Sequence, residues 1–210
     1  MDHPVADKAA GRLWNSLLVK DREMEVVQDN KAPAPVFVVT NEQPADTAAR
    51  EALLDRAMGP KRRKKSSEKL RRGRRPSEGL AFVAKDEAGT VIGTVRLWDV
   101  AAGAVPALLL GPLAVDPALK SAGLGSALMR HAIAEALRLG HQAILLVGDA
   151  SYYARFGFSA DKTGDLAMPG PYERERFLAL ELEEAALDRA VGVLKATGRK
   201  LPAVTTSLAA

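Results

Sequence analysis

The sequence predicts an α/β protein organised around one strand–helix–strand unit. Residues 107–115 form a nearly unbroken apolar run, which is typical of a strand buried on both faces. From residue 124 to residue 139 the apolar positions recur at helical spacing, and residues 142–147 are again short and apolar. Two such strands joined by a helix are expected to lie parallel, with a right-handed crossover.

The chain is expected to form one domain with an extension at each end. Residues 1–34 precede the domain, and a helical stripe at 13–18 packs either on the domain's own core or against a partner or second copy. Residues 31–35 contain two prolines and predict a linker. We expect the domain at residues 35–200 and a loose tail at 201–210.

The first half of the domain predicts a strand, a helix and a hairpin. Residues 36–40 are mostly β-branched, as in a strand. Residues 46–59 predict a helix that ends at a Gly-Pro pair. Its apolar side is expected to comprise Ala49, Ala52, Leu53 and Ala57. Residues 80–85 and 91–100 predict two strands joined by a tight turn.

The last part of the domain is expected to add strands and then a helix. Residues 166–171 and 176–182 predict strands, the second more clearly because it reads FLALEL at its end. Residues 183–200 are rich in alanine and predict a weak helix.

A proline interrupts the apolar strand at Gly111-Pro112. Proline has no N–H to donate to a neighbouring strand. The sequence therefore predicts a bulge here, or a point at which two strands part.

The turn before the central helix spans residues 120–126 and reads KSAGLGS. Gly123 and Gly125 allow a ligand to approach the backbone, and the free N–H groups of the following helix suit an anion such as pyrophosphate. Leu128 stands where a dinucleotide-binding fingerprint would need its third glycine, and the turn lacks the Gly-Lys-Ser/Thr of a Walker loop. The residues alone leave two interpretations open, an anion site or a tight strand-to-helix turn.

Residues 61–75 carry ten basic side chains and one acidic side chain, a local charge of +9. Because the whole chain has a net charge of +4, the remainder has about −5, and the basic character is local. The segment is either a solvated, mobile run of charge or a surface for a polyanion such as nucleic acid. No aromatic residue interrupts it, so base stacking is not supported.

Composition excludes several classes of function. The chain has no cysteine, which excludes disulfides, a thiolate nucleophile and a cysteine zinc site. Its three histidines are scattered, and we expect no metal site. No apolar stretch is long enough to span a membrane and no secretory signal is visible, so the prediction is a cytoplasmic bacterial protein.

The central unit resembles the GCN5-related N-acetyltransferase (GNAT) superfamily. That family binds the pyrophosphate of acetyl-CoA through a Gln/Arg-x-x-Gly-x-Gly/Ala loop, and Lys120, Gly123 and Gly125 occupy its fixed positions. Lys120 departs from the usual Gln or Arg but keeps the positive charge of Arg. The resemblance continues in residues 111–117 (GPLAVDP) and 153–158 (YARFGF), and is greatest to a bacterial subgroup of predicted acetyltransferases.

The resemblance covers roughly residues 37–182 and implies a fold and an activity. The fold would have a mixed sheet of about six to seven strands, helices on both faces, and strands that splay at the acetyl-CoA site. The activity would be acetyl transfer from acetyl-CoA to an amine by direct attack on the thioester, without a metal. The implied acetyl-CoA-binding residues are Leu113, Ala114 and Val115 along pantetheine, and Lys120, Ser121, Ala122, Gly123, Leu124, Gly125 and Ser126 at the pyrophosphate.

The resemblance also implies a proton donor and an acceptor wall. Tyr153 matches the family tyrosine that would protonate the leaving thiolate; its alternative role is packing in a cluster of aromatic residues. Residues 61–75 would help to wall the acceptor site, which favours an acidic acceptor over a polyamine. No general base is assigned: Asp99 and Asp149 are expected near the cleft, and Asp149 has an alternative role as a helix cap.

Two functions of different classes follow. The first is an acetyl-CoA-dependent N-acetyltransferase with an unknown amine acceptor, acting as a monomer or homodimer. The second is a catalytically silent module that binds acyl-CoA or a polyanion on the same fold. Tyr153 and the glycine loop favour the enzyme.

Overall fold

The computed structural model describes residues 36–202. The helical stripe at 13–18 and residues 203–210 of the predicted tail lie outside the described residues, so the predicted division into extension, domain and tail stays a prediction. In chain order the strands and helices are β1 (Phe37–Asn41), α1 (Thr47–Met58), α2 (Glu68–Arg71), β2 (Ala81–Asp86), β3 (Val91–Ala102), β4 (Val105–Val115), α3 (Leu124–Arg138), β5 (Ala143–Val147), α4 (Ala150–Tyr153), β6 (Leu166–Ala167), β7 (Phe177–Glu181), β8 (Gly192–Val193) and β9 (Lys195–Ala196).

The predicted mixed sheet is confirmed and has seven strands. Its order is β1-β2-β3-β4-β5-β7, and β9 pairs with β3 on the edge opposite β4, beyond the end of β2. Strands β1 to β4 pair with one another in antiparallel fashion. Strands β4 and β5, which α3 connects in the chain, pair in parallel. A second, two-stranded sheet joins β6 and β8. The predicted strand–helix–strand unit is therefore the centre of the fold.

The two faces of the sheet have separate cores, because successive strand residues point to opposite faces. On one face, α3 buries its apolar stripe, which comprises Leu124, Leu128, Met129, Ala132 and Ala136. On the other face, Leu70 of α2 joins the cluster of Trp98 and Leu109, and Leu53 of α1 packs with valines of β2 and β3. Full burial of one leucine contributes roughly 1.5–3 kcal/mol, so both faces are well anchored.

Strand pairing changes at Gly111-Pro112, as the sequence predicts. In the β3–β4 ladder Val95 pairs with Leu113, but Leu97 pairs with Leu110, so β4 contains a bulge between them. The parallel β4–β5 pairing ends at Leu109. Both predicted alternatives therefore occur together, a bulge towards β3 and a parting from β5.

The predicted apolar side of α1 is wrong in part. Leu53 is buried, but Ala49 and Ala52 are exposed, and Arg50 and Leu54 are buried instead. Arg50 faces the protein because its guanidinium is paired with carboxylates, an arrangement that apolar periodicity does not register.

The predicted helix over residues 183–200 is also wrong. This segment forms turns and the short strands β8 and β9. Leu187, Ala190 and Leu194 recur at helical spacing and are buried, but backbone donors of the segment bind other parts of the chain. The N–H of Leu194, for example, donates to the carbonyl of Ala167.

Among the described residues, no helix has the length and apolar character needed to cross a membrane.

Candidate active site

The parting of β4 and β5 opens a cavity of about 750 Å³. On the sheet side it is lined by residues 110–113 of β4, residues 146–149 after and within β5, and Arg96 and Trp98 of β3. On the other sides it is lined by α1, α4 and residues 62–74, with smaller contributions from elsewhere. This volume suits a small acceptor together with the reactive end of a larger ligand.

Tyr153 lines this cavity at the end of α4. Its ring packs edge-on to Tyr152, with ring centroids 4.9 Å apart, and to Phe158 at 6.0 Å. Burial raises the pKa of Tyr153 to about 12, and the neighbouring Tyr152 adds to this effect. The phenol is therefore protonated at neutral pH and can donate a proton or a hydrogen bond. Tyr153 therefore both packs in an aromatic cluster and lines the cavity, so the two alternatives predicted for it do not exclude each other.

Gly148 allows Tyr153 to take this position. A Cβ atom on Gly148 would lie 2.1 Å from Cε2 of Tyr153, well inside van der Waals contact. Sequence reasoning missed this residue, and its only signal was a glycine directly after a buried strand.

Asp149 caps α4, as one of its two predicted roles has it. Its side chain accepts hydrogen bonds from the hydroxyl of Ser151 and from the N–H groups of Ser151 and Tyr152. These donors hold the pKa of the Asp149 carboxyl below its ordinary value, the Ser151 hydroxyl contributing most. Asp149 also lines the cavity, but its engaged carboxylate is a weak base.

Asp99 is not near the cleft, contrary to expectation. It lies within β3 rather than at a strand end, and it borders a separate cavity of about 160 Å³ with His141. Strand β3 continues to Ala102, whereas the sequence predicted that it would end at residue 100.

The glycine turn begins α3 as predicted. Gly123 precedes the helix with φ +80°, a left-handed conformation, and Lys120 and Ser121 are exposed beside it. Gly125 lies against α4, since a Cβ on Gly125 would be 2.9 Å from the hydroxyl of Tyr152. Tyr152 also lines the cavity, so the first turn of α3 lies at the margin of the same opening.

Of the predicted site residues, the structure brings Leu113 and Tyr153 together around the cavity. Ala114 and Val115 continue β4 beyond it, paired with Thr94 and Gly93 of β3. The residues of the turn, 120–126, do not line the cavity.

The basic segment 61–75 is folded, and seven of its ten basic residues are exposed to solvent. It contains a short 3₁₀ turn and α2, and Leu70 within it is buried. The side chain of Arg62 is 11% exposed and that of Arg71 is 9% exposed. Both arginines line the cavity, so part of the charge of this segment faces inward.

A buried charge network supports the wall on the side of α1. Glu42 accepts hydrogen bonds from Nε of Arg50 at 2.9 Å and from Nε of Arg96 at 2.7 Å. The guanidinium of Arg96 lies 5.9 Å from the ring centroid of Trp98. The sequence pattern did not reveal this network.

The seven-stranded mixed sheet with its helices matches the fold of GNAT N-acetyltransferases. A family model described as an acetyltransferase (GNAT) domain matches residues 77–160. The chain belongs to this family and is an N-acetyltransferase.

Individual relatives agree. The chain is 30% identical over 161 residues to the uncharacterized N-acetyltransferase YhbS of Escherichia coli K12, a match that spans 76% of this chain and 95% of the relative. The crystal structure of E. coli YhbS in complex with CoA matches with a TM-score of 0.66 and 27% identity, over 79% of this chain and 92% of that chain. A Brucella melitensis GNAT acetyltransferase in complex with acetyl-CoA has the same fold, with a TM-score of 0.54 and 24% identity over 80% and 92% of the two chains.

Proposed function

We propose that this protein transfers the acetyl group of acetyl-CoA to an amine by direct attack on the thioester. The observation that carries the proposal is the opening between β4 and β5, with Tyr153 and the bulge at Gly111-Pro112 beside one cavity. An edge of β4 that is not paired with β5 leaves backbone groups for a ligand.

Acetyl-CoA would lie along this edge. The backbone of Leu113, Ala114 and Val115 would bind pantetheine, and residues 120–126 would hold the pyrophosphate at the start of α3. A helix of 15 residues supports an anion there, because its first N–H groups are unpaired and its dipole is positive at this end. The complex of YhbS with CoA supports the same ligand class for this chain.

Tyr153 would assist the departure of the thiolate. The neutral amine attacks the carbonyl carbon, the C–S bond breaks, and the sulfur takes a proton from the phenol while the nitrogen loses one to solvent. A thiol has a pKa of about 8.5, below that of Tyr153, so a free tyrosinate would not accumulate. The phenol therefore acts as a hydrogen-bond donor that transfers its proton as the bond breaks and regains one from water.

Water would accept the proton of the amine, because the carboxylates that line the cavity are engaged. Glu51 is paired with Arg50 and Arg62, Glu68 lies 3.4 Å from Arg71, and Asp149 caps α4. Juxtaposition of the two substrates would supply most of the rate enhancement.

Release of free thiol from acetyl-CoA in the presence of amines tests the proposal, with calorimetric binding of acetyl-CoA measured beside it. Tyr153→Phe should lower kcat by about 100-fold or more and leave the affinity for acetyl-CoA nearly unchanged. Tyr172→Phe is the matched control, since Tyr172 packs in the other core cluster and does not line the cavity. Full turnover by Tyr153→Phe would refute the assigned role, and failure to bind acetyl-CoA would refute the proposal itself.

Other expectations from the sequence stay predictions. They are the cytoplasmic bacterial location, the monomeric or homodimeric state, and a polyanion contact through residues 61–75. The inward placement of Arg62 and Arg71 leaves only the exposed basic residues of that segment for such a contact.

A further inference from the structure

Arg71 is buried beside the opening with an incompletely satisfied guanidinium. Its side chain is only 9% exposed, and its Nε has no hydrogen-bond partner among the described residues. Its contacts with Ser67 Oγ at 3.1 Å and with Glu68 at 3.4 Å both use Nη2. The other terminal nitrogen, Nη1, lies 3.7 Å from the position that a Cβ on Gly111 would occupy.

The surroundings of Arg71 neutralise it only in part, through Glu68 at 3.4 Å. Burial lowers the pKa of the Arg71 guanidinium, Glu68 offsets this in part, and Arg62 and Arg96 lower the pKa further. An arginine at such a site favours an additional anion, because a buried cation without sufficient countercharge is destabilising.

Arg50, Arg62 and Arg96 differ from Arg71 because each has a carboxylate oxygen within 2.9 Å, whereas Glu68 lies 3.4 Å from Arg71. Arg50 and Arg96 share Glu42, and Arg62 binds Asp55 at 2.7 Å as well as Glu51. Nine basic and three acidic side chains line the cavity, and Glu42 and Asp55 behind the wall pair with three of the basic ones, which leaves a formal excess of four positive charges. The excess suits anionic ligands and opposes polyamines.

We propose that the acceptor is a small amine that also carries a carboxylate or phosphate, and that Arg71 binds this anionic group beside Gly111. Resting on the proposed function, this inference adds the class of acceptor to it. A charge-assisted bond from a guanidinium to a carboxylate or phosphate is about twice as strong as a neutral hydrogen bond, so it would both bind and orient the acceptor.

The position of Arg71 limits the size of the acceptor. Two residues of strand span at most roughly 7 Å, so the guanidinium beside Gly111 is close to Leu113, where the thioester would lie. The amine and the anionic group of the acceptor are therefore separated by only a few bonds.

The pyrophosphate of acetyl-CoA does not account for Arg71. That group is assigned to the start of α3, and residues 120–126 do not line the cavity in which Arg71 lies. Replacement of Arg71 should therefore affect the acceptor much more than acetyl-CoA.

The experiment compares matched amines as acceptors and as ligands of the CoA-loaded protein. The probes are phosphoethanolamine against ethanolamine, β-alanine against β-alaninamide, and spermidine. In the wild type, at least one anionic member should have a kcat/KM about tenfold or more above that of its neutral partner, and should bind in calorimetry.

Arg71→Gln should raise the KM or Kd for the anionic probe about tenfold or more, with the Kd for acetyl-CoA changed less than about twofold. Arg71→Lys should fall between the wild type and Arg71→Gln, because it keeps the charge but not the planar fork. Arg75→Gln is the control, since Arg75 is an exposed arginine of the same segment that does not line the cavity. Thermal unfolding shows whether each variant is folded.

Equal or better acetylation of the neutral amines or of spermidine would overturn the inference, and would leave the proposed function intact. An unchanged KM in folded Arg71→Gln, or no Arg71-dependent binding of either anionic probe, would also overturn it. A wild type that does not bind acetyl-CoA would remove the proposed function and this inference together.

Discussion

The indole nitrogen of Trp98 donates a hydrogen bond of 2.6 Å to the carbonyl oxygen of Gly111. Gly111 lies in the bulge of β4, where the pairing with β3 shifts and the backbone leaves the regular ladder. A buried carbonyl outside the ladder needs another donor, and the neighbouring strand supplies it through a side chain. Trp98 therefore holds the bulge open beside the cavity.

Trp98→Phe should destabilise the protein and loosen the site together. It keeps an aromatic ring but leaves the carbonyl of Gly111 without its donor, which should cost about 1–3 kcal/mol of unfolding free energy. Urea unfolding measures the loss, and calorimetry should show weaker binding of acetyl-CoA. Unchanged stability and unchanged affinity would show that the bond does not maintain the bulge.

Gly148→Ala should impair catalysis by displacing Tyr153. The new methyl group would lie 2.1 Å from the Tyr153 ring, so the ring must rotate or move. We expect kcat to fall about tenfold or more, because a shift of 1 Å at a reacting group has effects of this size or larger.

Gly164→Ala is the matched control for Gly148→Ala. It adds the same methyl group where no other group lies within 4 Å, and Gly164 has a helical backbone conformation. Steady-state kinetics of both variants separates the effect on Tyr153 from a general effect of alanine. Equal activity of the two variants would contradict the proposed contact.

Gly125 and Tyr152 should be energetically coupled. A methyl group on Gly125 would meet the hydroxyl of Tyr152 at 2.9 Å, so Gly125→Ala should weaken the binding of acetyl-CoA by disturbing the first turn of α3. Tyr152→Phe removes that hydroxyl and should restore part of the affinity in the double variant. Calorimetric Kd values for the four proteins give the coupling energy. Strictly additive effects would show that the two groups act independently.

Part of this architecture could be predicted from sequence because it depends on local pattern. The run at 107–115, the spacing after residue 124 and the proline at 112 specify the central strands, the helix and the bulge by themselves. The hairpin of β2 and β3 was predicted for the same reason.

The missed features depend on partners that are distant in sequence. Trp98 and Gly111 are 13 residues apart, and Glu42 and Arg96 are 54 apart, so only the register of the sheet brings them together. The segment at 183–200 was misassigned because buried residues at helical spacing can also belong to turns that fill a core. Arg50 on the inner side of α1 was missed because apolar periodicity does not detect buried ion pairs.

The pH dependence of turnover should show no loss of Tyr153 as a donor below about pH 11. An ordinary tyrosine has a pKa of about 10, whereas burial raises that of Tyr153 to about 12, so the protonated form persists as the pH rises. We expect kcat/KM to increase as the acceptor amine loses its proton and then to reach a plateau. A fall near pH 10 in the wild type that is absent from Tyr153→Phe would contradict the raised pKa. Circular dichroism across the same range confirms that the fold is intact.

Glu42→Gln should destabilise the protein far more than loss of an exposed carboxylate. The side chain of Glu42 is 5% exposed and pairs with both Arg50 and Arg96, and Glu51 is a second partner of Arg50 alone. Replacement of Glu42 leaves buried cations with too little negative charge, which should cost about 3–5 kcal/mol in urea unfolding. In the control, Glu78→Gln breaks the pair with Arg199 at 3.0 Å, where Glu78 is 85% exposed, and should cost less than about 1 kcal/mol. Similar losses in the two variants would show that the network near the cavity contributes no more than a surface ion pair.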